Sequence, residues 1–468
     1  MLDNGGAVLE TVTSDDNGNY TFTVNSNTNV RIRASARVVQ TTGARWDVSV
    51  TDNTNSNALY TLAGSLTSSG AANSTRNLNA GSGWGGSSYT GTRAAGPFAI
   101  LDPVYTGIQR IVAVDADVVF PPVEFRWSVN NRAVSGDRAD GEIGTSSYVS
   151  NGVTGNVFIL GDANNDTDEY DAHVVVHEWG HYFEDRLSRS DSMGGAWSGN
   201  SRLDPRIAFG EGFGNALSGI IMDDPFYRDS SGNQQANGFL INVENNANAT
   251  QGWFSAASVQ SILYDLYDAD DDGVDVISLG IGPIYEALTA DDYTGSALFI
   301  SIFAFMNELR IQQPGSVANM DALLTGQMIN GTGPNGAGET NNGGIASALP
   351  VYKILPLNGA AVEVCSLNDA GEFNRLGNRA LVQLDLATAG TYTITMTRTS
   401  GDTGRDPDFL IWRNGSLVAR AESSLAETET FTGTLSAGTH VLDAYDFHNL
   451  NSITTNAGDS CFDIVATD

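Results

Sequence analysis

Residues 177–181 read HEWGH. On a helix, His177 and His181 stand four residues apart on one face, so both imidazoles can reach the same ion. A salt-bridged helix face is the other reading of this spacing. Zinc in a hydrolase is held tetrahedrally by three protein groups with water in the fourth position, so two histidines need a third donor. Thirty residues after His181, GEGFGNALSG places Glu211 near the start of an apolar helix, flanked by Gly210 and Gly212. A carboxylate there is costly to bury unless it pairs or binds metal, and its small neighbours let two helices approach closely.

A histidine at 187 with glycine at 184 would complete the metzincin pattern, but the chain has Leu187 and Glu184, which excludes that class. HExxH followed by a glutamate on a second helix resembles the glutamate zincins, and HEWGH with GEGFGNA is most similar to thermolysin and fungalysin relatives over about residues 156–268. The resemblance implies His177, His181 and Glu211 as zinc ligands. It implies Glu178 as the base that takes a proton from the attacking water and returns it to the leaving amine. Elementary chemistry agrees, because zinc lowers the pKa of its water to about 7 and an adjacent carboxylate then completes general-base attack on a polarised carbonyl.

Two positions depart from those relatives. Asn215 stands where they carry aspartate, which hydrogen-bonds a ligand histidine from behind; an amide accepts the same N–H bond but brings no negative charge to it. The relatives also place a histidine downstream of the glutamate helix to stabilise the oxyanion. Here the downstream histidines are His440 and His448, in the last domain. By sequence order Tyr264, Tyr267 and Trp253 are donors for that role, with core packing as the alternative for each. His173, one turn before His177, is read as support or packing, since three aligned histidines cannot all converge on one tetrahedral ion.

These groups need a scaffold. VEFRWSV and NVFILGD read as strands, followed by helices over YDAHVVVHEWGHYFEDRLS, AFGEGFGNALSGIIM, SAASVQSILYDLYD and ALFISIFAFMNEL, which predicts an α+β zincin-like domain over about 93–345. NVFILGD suits an edge strand that binds extended peptide by strand addition, or an ordinary core strand. Two acidic loops suggest calcium. DADDDGVD spaces Asp268, Asp270, Asp272 and Gly273 as the start of an oxygen-rich calcium loop does, although Leu279 occupies the twelfth position; a solvated helix-ending run is the alternative. GDANNDTDEYD offers Asp162, Asn164, Asp166 and Asp168 with threonine in place of the turn glycine, a weaker match.

Flanking segments alternate apolar and polar residues. Over residues 1–85, NGNYTFTVNSNTNVRIRASARVV and RWDVSVTDNT predict a small β-sandwich or part of one, and SDDNGNYTFTV resembles the end of carboxypeptidase-regulatory-like sandwiches. Gly/Ser/Asn-rich stretches at 77–92 and 331–344 read as linkers. Over 350–468, AGTYTITMTRTSGDTGRDPDFLIWRNG with LSAGTHVLDAYD resembles the prepeptidase C-terminal domain, which implies a jelly-roll-like β-sandwich of the kind appended to secreted bacterial proteases. Cys365 and Cys461, near the edges of that domain, suggest a disulfide between its first and last strands, with buried free thiols as the other reading.

The chain of 468 residues carries a formal net charge of −32 with only 17% charged residues, because bases are scarce and Lys353 is the sole lysine. Such a surface repels phosphate and excludes nucleic acid and anionic headgroups as partners; it suits solubility in salty surroundings, attraction of divalent cations, or both. No run is long and apolar enough to span a membrane. The opening MLDNGGAVLE lacks a signal pattern, consistent with a cytosolic protein or with a chain trimmed of its signal, and the composition favours the second. The expectation is a multidomain, secreted or cell-surface bacterial protein, monomeric, hydrolysing peptide bonds in protein or peptide substrates with Zn2+, and with Ca2+ in addition. The competing readings are an inactive zinc-containing surface protein that binds a polymer or protein through its β domains, and a zinc hydrolase of non-peptide amides or esters.

Overall fold

A computed structural model describes residues 1–468 apart from 16, 151–153, 246, 271–274, 369–371, 425–426 and 451–457. The chain divides into two compact units, one of residues 1–182 with 228–240, the other of 183–227 with 241–468. The architecture is mixed α/β and multidomain, with several separate sheets and a C-terminal β domain.

In the first unit the central element is a sheet. Strands β1 (Arg37–Gln40), β2 (Trp46–Asp52), β3 (Val123–Trp127), β4 (Ser147–Ser150) and β5 (Gly155–Ile159) lie in the order β1-β2-β3-β5-β4, and Ala58–Leu59 also pairs with β2. The β2–β3 and β3–β5 pairs are parallel, while β4 runs antiparallel to β5. A parallel pair needs a crossover, and helix α1 (Gly96–Val112) lies between β2 and β3 in the chain. Its Pro97 sits at the helix start, and Ile100, Leu101, Val104, Ile108 and Ile111 form the buried face.

Two expectations change here. Residues 37–59 belong to the same sheet as VEFRW and GNVFI, so the sheet runs across the boundary expected near residue 85, and the remaining N-terminal strands form short ladders instead of one sandwich: Asn29–Val30 with Thr67–Ser68, and Arg33–Ser35 with Thr61–Ala63. NVFI is flanked on both sides, by β3 and β4, so it is not the edge; on that side of the sheet the outermost strand among the described residues is β4. The Gly-rich stretch 77–92 is held in place as well. The Tyr89 amide donates to Gln234 Oε1 at 2.7 Å, and Tyr89 stacks on Tyr170.

Helix α2 (Ala172–Leu187) follows and is buried along most of its length. Strands β6 (Phe226–Ser231) and β7 (Asn237–Asn242) form a two-stranded sheet.

In the second unit helix α3 (Pro205–Met222) starts at Asp204, whose carboxylate accepts the Arg206 amide at 3.0 Å. Its glycines set the packing distance to helix α4 (Ala256–Tyr267): a Cβ on Gly212 would stand 2.5 Å from the Val259 Cβ and 2.7 Å from the Ala256 carbonyl oxygen. The two helix backbones approach more closely than a side chain at 212 would allow. Residues 331–344 are no free linker. The Glu339 carboxylate accepts the amides of Asn330, Gly331, Thr340 and Asn341 at 2.7–2.9 Å, closing the segment into an ordered loop.

The C-terminal β domain faces a five-stranded sheet, carrying Arg379–Leu386, Pro407–Arg413 and Gly438–Asp446, with a four-stranded sheet, carrying Val362–Ser366, Gly390–Ser400, Thr428–Leu435 and Ser460–Thr467. Val382, Leu384, Ile394, Met396, Phe409, Ile411, Leu442, Phe462 and Ile464 fill the space between the sheets. Cys365 and Cys461 stand opposite each other on the paired strands Val362–Ser366 and Ser460–Thr467 and form a disulfide. The bridge ends on the last strand, as expected, but starts from the domain's second strand, because Tyr352–Ile354 precedes it in the other sheet.

Asp443 of this domain receives Arg206 and Arg379 at 3.0 Å each, and all three side chains are largely buried. Burial alone would raise the Asp443 carboxyl, but Arg206 and then Arg379 outweigh it and hold it below the usual carboxylate range. A depressed folded value means the stabilisation is complete above about pH 4 and is lost as pH falls through that value. Asp443→Ala should cost about 3 kcal/mol in urea unfolding at pH 7, since it leaves buried guanidinium charge without this partner. The deficit relative to the natural protein should shrink as the medium is acidified; a constant deficit down to pH 3 would show that packing and not charge was lost.

Candidate metal centre

The side chains of HEWGH are oriented by the burial of α2. Val174, Val175, Val176, Trp179, Tyr182 and Phe183 are all buried, and the Trp179 ring lies so close to α1 that a Cβ on Gly107 would stand 2.9 Å from it. With those positions committed to the core, His177 and His181 are left on a common face. Their Nε2 atoms approach to 3.1 Å, with the rings nearly perpendicular at 86°.

Glu211 completes a group with them: one ligand atom each from His177, His181 and Glu211 lies within 4.8 Å of the others. The donor set fits zinc. Ligands about 2.0–2.1 Å from a tetrahedral ion are separated from each other by roughly 3.3 Å, close to the observed separation of the two nitrogens. Two imidazoles and one carboxylate are a borderline-soft set that suits zinc better than calcium or magnesium.

Glu178 is buried beside them, and its Oε2 accepts the backbone amide of Tyr148 at 2.8 Å. The edge strand β4 therefore touches the carboxylate expected to act as base. Sequence reading missed this strand because SSYVS is short and carries little apolar alternation. Asn215 is buried, and its side-chain Nδ2 donates to Gln260 Oε1 at 2.8 Å, while its backbone carbonyl accepts the Ser218 hydroxyl. Gln260 had no sequence signal, since its partner lies 45 residues earlier. His173 is buried as well, in line with a supporting or packing role.

The three aromatic donors considered for the oxyanion are placed otherwise. The Trp253 indole N–H donates to the Asn341 carbonyl at 2.8 Å, and the Tyr267 hydroxyl to Asp223 at 2.8 Å. Tyr264 packs on Gly219, eight residues along α3 from Glu211, which is about 12 Å at helical rise. Helix α4 runs beside α3 in the same direction, and this carries both tyrosines toward the far end of α3.

Two acidic groups also form. Asp268 and Asp270 come together with Glu244, whereas Asp272 and Gly273 lie outside the described residues. In the other, Asp166 and Asp168 meet Asp171 and Asp229, not Asp162 and Asn164. Asp162 instead accepts the Asn164 amide and shapes the loop, and Asn164 accepts from Gln234. Burial and then the charge of Asp166 hold Asp168 well above the usual carboxylate range; burial foremost pushes Asp171 to about 6 and Asp229 to about 7.

Comparison with known proteins adds a family. The model described as Mycolysin C-terminal domain matches residues 136–294, about a third of the chain, and this span contains His177, Glu178, His181 and Glu211. The match is consistent with a peptidase-associated protein. No curated protein matches. Among solved structures, the pre-peptidase C-terminal domain of collagenase from Bacillus anthracis is 12% identical, covering 25% of this chain and 93% of that one with a TM-score of 0.18. CorA, a surface-associated copper-binding protein of Methylomicrobium album BG8, is 8% identical, with coverages of 25% and 96% and a TM-score of 0.19. A family 35 carbohydrate-binding module from Cellvibrio japonicus Abf62 is 14% identical, with coverages of 24% and 80% and a TM-score of 0.16. At these scores the likenesses carry no argument about function. No helix among the described residues is long and apolar enough to cross a membrane.

Proposed function

We propose that this chain is an extracellular zinc endopeptidase of the glutamate-zincin type, similar to thermolysin and fungalysin relatives, with residues 93–345 as the main part of the catalytic domain. The observation that carries the reading is the approach of the His177, His181 and Glu211 ligand atoms to within 4.8 Å, the two histidines standing on the helix that also presents Glu178, and Glu211 on α3. Zinc held by His177, His181 and Glu211 would supply a Lewis acid that polarises the scissile carbonyl and acidifies water.

The protein's own groups do the rest. Glu178 takes the proton of the attacking water at its carboxylate, whose Oε2 is steadied by the Tyr148 amide, and passes it to the leaving nitrogen. Strand β4 presents its outer edge to an extended substrate, which adds as a further strand and brings its carbonyl toward the base. Asn215, locked by Gln260, supports a ligand imidazole from behind. Glu244, Asp268 and Asp270, with Asp272 following in the chain, are assigned to Ca2+. A monomeric protein acting on protein or peptide, with no nucleic-acid partner, accords with the acidic surface.

Casein hydrolysis should be abolished by 1,10-phenanthroline and restored by stoichiometric zinc. Trp253 and Tyr267 bonding elsewhere favours the second reading, a zinc-holding surface protein that binds a polymer or protein partner through its β domains. A protein that holds zinc and cleaves neither casein nor a peptide library would decide for it.

A further inference from the structure

The acidic group ahead of α2 has a ligand chemistry of its own. Asp166 and Asp168 lie in the loop before the helix, Asp171 directly precedes it, and Asp229 sits on β6. One oxygen from each lies within 4.8 Å of the others. Calcium binds oxygens at about 2.3–2.6 Å, so oxygens on opposite sides of one ion stand about 4.8 Å apart. Four carboxylate oxygens confined to that span fit inside one coordination shell.

A second observation points to a cation. Asp168 is 3% exposed; its Oδ2 accepts the Ser146 hydroxyl, while its Oδ1 is buried without a hydrogen-bond partner. With Oδ2 committed to the serine, Oδ1 is the oxygen left for the acidic neighbours, and Asp166 and Asp229 are the charged groups that act on this carboxyl. Asp229 Oδ1 is likewise buried without a hydrogen-bond partner. Buried carboxylate oxygens in this state carry an uncompensated desolvation cost unless a cation or a proton meets them.

The surrounding bonds hold the four groups in position. Asp171 Oδ2 accepts both the amide and the hydroxyl of Ser230, at 3.1 and 2.7 Å, and Asp166 forms a backbone bridge with Ser231. The charged groups acting on Asp166, Asp171 and Asp229 are, as for Asp168, members of the same set. An all-oxygen donor set of this charge selects a hard divalent ion over zinc.

We propose that Asp166, Asp168, Asp171 and Asp229 bind one calcium ion that pins β6 to the start of α2. The ion would anchor the N-terminal end of the helix that carries His177 and Glu178, and so act on the stability of that helix and not on the chemistry.

The test uses the full chain, stripped on a chelating resin, returned to one equivalent of zinc and titrated with calcium chloride. The melting temperature should rise by roughly 5 °C or more at calcium a hundredfold above Kd. Terbium, a calcium-sized probe of oxygen sites, should be displaced by calcium. The Asp168→Asn/Asp229→Asn variant should lose one terbium per chain and most of the calcium-dependent rise. Its ion-free form should melt no lower than the ion-free natural protein, since the substitutions relieve repulsion. The Asp268→Asn/Asp270→Asn variant, altered in the other acidic group assigned to Ca2+, should lose a different terbium and keep the one that the Asp168→Asn/Asp229→Asn variant loses, together with the rise in melting temperature that goes with it. Should the double variant fail to fold, Asp229→Asn alone carries the test. An unchanged terbium count and calcium response in the variant, or no calcium response in the natural protein, would overturn the assignment.

Discussion

On the proposed function, Glu178→Gln should keep its zinc and lose hydrolysis. The substitution is nearly isosteric, and the glutamine carbonyl oxygen can still accept the Tyr148 amide now bound at 2.8 Å by Oε2, so the start of the active helix is undisturbed. What disappears is a basic site next to the ligand pair. General-base catalysis contributes about 10²–10⁴-fold, and kcat on a fluorogenic peptide should fall by that factor while metal analysis still returns one zinc per chain. The two readouts must be taken together. Activity within a few-fold of the natural protein would mean that another group accepts the proton. Loss of zinc would mean that Glu178 supports the metal, and the proposed division of labour on α2 would fail.

Glu211→Ala should have the opposite signature, with zinc lost and the fold kept. Groups that merely support a metal ligand are worth about 10–100-fold in affinity, so removal of a ligand itself should exceed roughly 100-fold. The helix should tolerate the change. Alanine is a strong helix former, and contact with α4 is made at Gly212, where the backbones approach, not at 211. Zinc content after dialysis against a weak competing chelator should drop to background, with circular dichroism and C-terminal domain unfolding unaltered. Retained stoichiometric zinc would place the third ligand elsewhere and remove the basis for the peptidase proposal.

These variants bear on residues that were legible because helix geometry is local. Four residues make about one turn, so HEWGH brings its two imidazoles to one face whatever surrounds the helix, and the 3.1 Å approach of the Nε2 atoms is what that spacing predicts. Glu211 was legible for a related reason: a carboxylate between glycines in an apolar helix conflicts with burial unless it has a partner. The alternating strands of the C-terminal domain and its cysteine pair were readable from period and composition.

Strand order was not legible. Its place before the helix suits NVFILGD to an edge, yet β4 pairs on its outer side and supplies the amide that holds Glu178. Pairing partners are chosen by packing across long sequence separations, and a short strand such as SYVS carries little of that information. The same holds for Trp253 and Tyr267, whose donors are engaged by Asn341 and Asp223, residues 88 and 44 positions away. Residues 331–344 looked like a linker by composition and are instead closed around the Glu339 carboxylate.

The sequence by itself determined the i, i+4 histidine pair, the glutamate between them, the helices that carry them and the β character of both ends. Each depends on periodicity within about a dozen residues, which survives any arrangement of the rest. Only the tertiary structure decided which strand borders the base, which sheet takes residues 37–59, and that Asp171 and Asp229 join Asp166 and Asp168 instead of Asp162 and Asn164. Those outcomes rest on contacts between segments that fold together only after each has formed, and no spacing along the chain encodes them.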